Sequence, residues 1–254
     1  MSLKQNILIA VCGVMIVTGC KKELSTELPG IPSINASNAN KVKKFSETVI
    51  DPSGSLSVTF NLTYDASDRL TLLADSANPA SRFVYVYSPT SYTMDIITPA
   101  QPNLHEIFYL NSSLLVDSTL QYQVGGDTTT EKYLYNSSAR VIREKVYDYT
   151  LAGGSVLDYT TDNTFDASGN ITQSTTSTGT VTTYEYYSFI NSIYIGMIYV
   201  PVASRNLEKK RTVTDGTTVE TIDITYTFDS TNRVSTQTEV SDMGYTVVRK
   251  YTYF

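Results

Sequence analysis

The feature that most constrains this chain is a seven-residue pattern that returns at intervals along it. It reads Tyr64-Asp65-Ala66-Ser67-Asp68-Arg69-Leu70, then Tyr135-Asn136-Ser137-Ser138-Ala139-Arg140-Val141, Phe165-Asp166-Ala167-Ser168-Gly169-Asn170-Ile171 and Phe228-Asp229-Ser230-Thr231-Asn232-Arg233-Val234. A degenerate copy is Leu110-Asn111-Ser112-Ser113-Leu114-Leu115-Val116. The shared order is aromatic, Asp or Asn, small, Ser or Thr, any, Arg or Asn, aliphatic. Each position has a local reason. The Asp or Asn side chain accepts backbone N–H groups two residues on, small residues follow the bend, and Asp68, Gly169 or Asn232 takes a positive φ. The pattern predicts a hairpin turn.

The flanks alternate as strands do. Ile222, Ile224, Tyr226 and Phe228 share one face, and Asp223, Thr225, Thr227 and Asp229 share the other. Gly125-Gly126-Asp127, Gly153-Gly154-Ser155, Thr178-Gly179 and Asp215-Gly216 mark further turns between strand-like runs. Roughly fifteen short strands result, joined too tightly for parallel crossovers, which need a dozen residues or more. The expectation is therefore an all-β fold, a long antiparallel meander of repeated β-hairpins over residues 42–254, with an open or partly closed sheet. One stretch departs from the pattern: Phe189 to Val202 is apolar without clean alternation and reads as a loop or short helix packed on the sheet.

Composition supports the class and excludes others. Tyrosine reaches 20, tryptophan is absent, and there is one histidine. Thr, Ser and Val recur throughout, as suits a pleated, half-buried surface. A formal net charge of −6 argues against nucleic acid.

Ahead of the repeats, Lys4 and the apolar run Ile7 to Val17 have the layout of a signal peptide over residues 1–19. The run is too short to span a bilayer core, which takes roughly 20 apolar residues in helix. It ends in Val17-Thr18-Gly19-Cys20, which resembles the lipobox of bacterial lipoprotein precursors. The resemblance implies acylation (palmitate) at Cys20, cleavage just before it, and attachment to the outer membrane. Cys12 lies in the discarded segment, so no thiol remains for a disulfide. Residues 20–41, rich in Ser, Asn and Pro, then form a lipidated flexible tether. Lys21-Lys22-Glu23 faintly resembles the charged export signal of surface lipoproteins.

The aromatic-Asp turn resembles the YD repeats of RHS-type shell proteins. The stretch from Ser204 to Val240, with Val247 to Phe254, resembles the DUF4595-type lipoproteins of Bacteroidota. That resemblance implies an all-β structure and supplies no catalytic residues.

His105 stands beside a strand and builds a metal site or triad only if distant carboxylates converge on it. Asp166 to Asn170 has the outline of a calcium loop without the later acidic ligand, and an Asx turn explains it more simply. No Gly-x-Ser-x-Gly elbow or phosphate loop occurs. Tyr133, Tyr135, Tyr184, Tyr186, Tyr226, Tyr251 and Tyr253 read first as cross-strand pairs and second as a binding face. The terminal Phe254 suggests an outer-membrane barrel strand, but Thr252 and Lys250 on its face suit lipid poorly.

The reading is thus a lipid-anchored envelope protein that is not an enzyme, with no catalytic or metal-binding residues and no cofactor. Its partners are the membrane and a protein or glycan ligand. The alternatives are a periplasmic scaffold or assembly factor, or a hydrolase with a scattered site.

Overall fold

The structure, a computed structural model, describes residues 41–254 except 100, 124, 125, 127, 151–153, 192 and 194–203. The signal, Cys20 and nearly all of the tether lie outside the described residues, as does most of the apolar stretch after Phe189.

Sixteen strands follow one another among the described residues. They are β1 (Val42–Asp51), β2 (Gly54–Tyr64), β3 (Leu70–Asp75), β4 (Arg82–Tyr87), β5 (Ser91–Ile97), β6 (Leu104–Leu110), β7 (Val116–Gln123) and β8 (Thr128–Tyr135). The second half is β9 (Val141–Thr150), β10 (Gly154–Phe165), β11 (Ile171–Thr176), β12 (Val181–Ile190), β13 (Asn206–Asp215), β14 (Thr218–Phe228), β15 (Val234–Ser241) and β16 (Thr246–Tyr253). Each strand pairs antiparallel with the next, and β16 returns to pair with β1, from Val42↔Tyr253 to Ile50↔Thr246. The expected meander is present. The open or partly closed sheet is not, because the meander closes into a barrel. Closure removes the two edges whose unpaired N–H and C=O groups an open sheet would expose.

The repeated heptads sit at one rim, and each forms the same turn. In the Tyr64 copy, Asp65 Oδ1 accepts the N–H groups of Ser67 (2.8 Å) and Arg69 (2.9 Å). Asp229 Oδ1 does the same for Thr231 and Arg233, both at 2.9 Å. The fifth residue of every copy has positive φ: Asp68 (62°), Leu114 (59°), Ala139 (56°), Gly169 (86°) and Asn232 (61°). A β-bulge beside the turn then brings the closing aliphatic back to the inner face. Leu70, Val116, Val141 and Val234 are all fully buried there.

A clasp explains why the pattern needs tyrosine and arginine together. The arginine before the aliphatic lies over the ring that ends the following strand, Arg69 over Tyr87 at 4.5 Å and Arg233 over Tyr253 at 4.4 Å. That tyrosine's hydroxyl donates to the carbonyl of the aliphatic, Tyr87 to Leu70 and Tyr253 to Val234, each at 2.7 Å. Tyr64 donates likewise to Val42 (2.6 Å), with Lys41 standing where the arginine would be. Tyr135 donates to Val116. Where the ring is Phe165 and has no hydroxyl, Asn163 Nδ2 supplies the bond to Val141 at 3.2 Å.

Candidate functional site: the inner wall of the barrel

Alternation along each strand assigns one face inward and one outward. The half of the interior nearest the clasps is dry. Phe45, Phe60, Leu62, Leu73, Phe83, Tyr92 and Phe108 are buried in one cluster, with Tyr92 stacked on Phe108 at 4.2 Å and Phe60 edge-on to Phe83. Ile193, in the connection between β12 and β13, packs against it.

Charged side chains occupy the same inward phase elsewhere, and they form two groups of different character. The first straddles the seam and its neighbours. Arg249 on β16 donates through Nε to Glu47 on β1 at 2.7 Å and through Nη1 to Glu239 on β15. Gln237 Nε2 donates to Glu239 Oε1 at 2.8 Å, and Tyr251 completes the row by donating to Gln237. Nearby, Arg211 pairs with Glu208 at 2.8 Å. Burial alone would lower the Arg211 pKa, yet Glu208 and Glu239 raise it above the usual arginine value. Every carboxylate in this group faces an arginine.

The second group lies on β6 to β10 and has no such partner. Glu106 stands opposite Gln121 on β7, Glu131 opposite Thr119, and Glu144 on β9 opposite Tyr133 on β8. Tyr133 donates to Glu131, and Thr119 donates to the same oxygen at 3.3 Å. Glu106 is 3% exposed, and its Oε2 is the one buried side-chain polar atom among the described residues without a hydrogen-bond partner. Burial, with the charge of Glu131 second, pushes the Glu106 carboxyl up to about 8. The same two causes raise Glu144 to about 7. No group of three His, Cys, Asp or Glu side chains among the described residues is placed to hold a metal ion.

The outer wall is mixed, with many charged and polar side chains. Lys44, Asn61, Lys132, Arg143, Glu185, Asp223, Thr225, Lys250 and Thr252 are all exposed on it. From β4 to β9 the wall also carries apolar and aromatic side chains, among them Val84, Val86, Ile107, Tyr109, Leu120, Tyr122 and Leu134. His105 also lies there rather than in the interior. Its Nδ1 meets Asp95 Oδ1 at 2.6 Å, and its ring stacks on Tyr122 at 5.3 Å. One carboxylate has converged on it.

The sequence-derived sites divide accordingly. Asp166 spends its carboxylate on the Asn170 N–H (2.8 Å) and side-chain amide (2.9 Å), which is an Asx turn. The seven tyrosines point into the barrel, among them Tyr184 and Tyr186, which stack on each other. They form no outer aromatic face. The residues that sequence reasoning missed are the inward charges. Their signal was a charged residue in an apolar phase: Phe45-x-Glu47-x-Val49, Leu104-x-Glu106-x-Phe108 and Val247-x-Arg249-x-Tyr251.

The sequence matches no family model and no curated protein. Solved structures do resemble the fold. A porin-like protein from Bacteroides uniformis superposes with a TM-score of 0.62 at 14% identity, over 85% of this chain and 98% of the other. A porin-like protein from Bacteroides vulgatus gives 0.58 at 13% identity, over 84% and 98%. At such identities the likeness is one of fold alone.

Proposed function

We propose that this protein is a non-catalytic binding module of the cell envelope, held at the outer membrane by lipid on Cys20 and not by its own strands. The supporting observation is the outer wall. A membrane barrel turns an apolar band about 25 Å tall toward lipid, and charges at mid-bilayer cost roughly 2–4 kcal/mol each for Arg or Lys. Here Lys44, Lys132, Arg143 and Lys250 stand on that wall, among threonines and aspartates. Conduction through a bilayer, which the neighbours' description as porin-like suggests, fits such a wall poorly. Kinship with YD-repeat and DUF4595-type lipoproteins belongs to the same proposal, since the clasp gives the shared turn residues a common structural reason. Binding is assigned to the interior, where a porin-sized strand number leaves room that side chains of a small barrel would fill.

Cell fractionation of the Cys20→Ser variant tests this reading. The variant is expected in the soluble fraction with its barrel folded. Retention in membranes after a carbonate or urea wash would overturn it.

A further inference from the structure

We propose that Glu106, Glu131 and Glu144 on the inner wall form a binding site for a small organic cation carrying a primary ammonium group. The three carboxylates come from β6, β8 and β9 of one side of the barrel, near enough for the charge of Glu131 to act on both of the others. The neighbouring strands bring no cation to them. β5 contributes Met94 and Tyr92 beside Glu106, β7 contributes Gln121 and Thr119, β8 contributes Tyr133, and β10 places Tyr159 opposite Val146 next to Glu144. On the seam side of the same barrel, by contrast, Arg249 and Arg211 answer Glu47, Glu239 and Glu208. A general need to close or fill the barrel therefore does not explain an acidic set without a base.

The second observation is the orphaned Glu106 Oε2, buried and without a donor, while Glu131 Oε2 accepts from Tyr133 and Thr119. Buried polar atoms are otherwise satisfied almost throughout folded proteins. An ammonium group supplies up to three N–H donors to such a set, and the faces of tyrosine rings favour cations. A metal ion fits less well, because these side chains are not grouped to ligate one. Access is available on the far side from the clasps, where Gln121, Thr129, Glu131 and Glu144 are only half-buried. When the cation binds, the protonated Glu106 and Glu144 carboxyls release their protons to solvent.

This deepens the binding reading by naming its ligand class. The anchor test on Cys20 fails or succeeds independently of it. The experiment is calorimetric titration of the intact protein, in detergent, with 1,4-diaminobutane as probe. It is run at pH 6 and pH 8.5, at constant ionic strength, in two buffers of different ionisation enthalpy. The expected result is saturable binding at pH 8.5, at least tenfold weaker at pH 6, with proton release visible as a buffer-dependent heat. Glu106→Gln and Glu144→Gln should each weaken binding tenfold or more, while Glu185→Gln on the outer wall leaves it unchanged. The absence of saturable heat at pH 8.5, equal affinity at both pH values, or calcium chloride binding where the diamine does not would overturn the proposal. So would unchanged affinity in both inner-wall variants.

Discussion

Arg249 and Glu47 are separated by 202 residues and meet at 2.7 Å on the inner wall, where both are almost fully buried. The pair lies across the one strand contact that makes the meander a ring, between β16 and β1. Glu239 holds the other side of the same guanidinium. Removing only Arg249 leaves Glu47 buried without a base and Glu239 with only Arg211, 4.0 Å away. Arg249→Ala should therefore cost about 3–5 kcal/mol of stability, measured by denaturant unfolding. Replacing all three together, by Glu47→Leu, Arg249→Met and Glu239→Leu, should restore most of that loss.

Glu106 predicts a pH dependence of opposite sign to the usual carboxylate. Its folded pKa lies near 8, above the ordinary value of 4.5, so the folded state holds the extra proton between those limits. Stability then falls as pH rises from about 5 to 8.5, by a few kcal/mol. Glu106→Gln should flatten that fall and stabilise the protein at pH 8.5. Unfolding midpoints at pH 5.5 and 8.5 for both proteins decide it.

The clasp predicts a coupling between arginine and tyrosine. Tyr253→Phe removes only the hydroxyl bond to the Val234 carbonyl, at about 1 kcal/mol. Arg233→Ala removes the stack on Tyr253 and the bond to Asp229. A double-mutant cycle against Tyr253→Ala should give a coupling of about 0.5–1 kcal/mol in thermal or denaturant unfolding.

Turn chemistry gives a pair of opposite predictions at one position of the repeat. Leu114 and Ala139 hold φ near 60°, where L residues with a side chain pay about 1 kcal/mol. Ala139→Gly should raise the melting temperature slightly. Gly169→Ala, at φ 86° with Arg140 packed against the site of the new methyl, should lower it.

The hairpins were legible in the sequence because their causes are local. An Asp or Asn with its backbone partners two and four residues on, as at Asp65 and Asp229, writes itself into a heptad, and alternation around Ile222 and Ile224 marks the faces. Closure was not legible, since an open meander and a ring alternate identically. What separates them is the pairing of Phe45 with Tyr251 and of Glu47 with Arg249, contacts across the whole chain length. The acidic set was missed for a related reason. Glu106, Glu131 and Glu144 are spaced irregularly in sequence, and only the register of β6 to β9 brings them together. The tyrosines lie on paired strands, and their side of the sheet becomes an inside only once the sheet closes.

The strand number has a last consequence. Because it is even, the chain returns to the rim where it started, and the Phe254 N–H donates to the Lys41 carbonyl at 3.2 Å. The barrel thus has no structurally privileged first strand. A variant joined from Phe254 to Lys41 by a short linker and reopened at the Asp215–Thr218 turn keeps every strand pairing. In such a circular permutant, a membrane anchor could be moved to the opposite mouth without touching the ring itself.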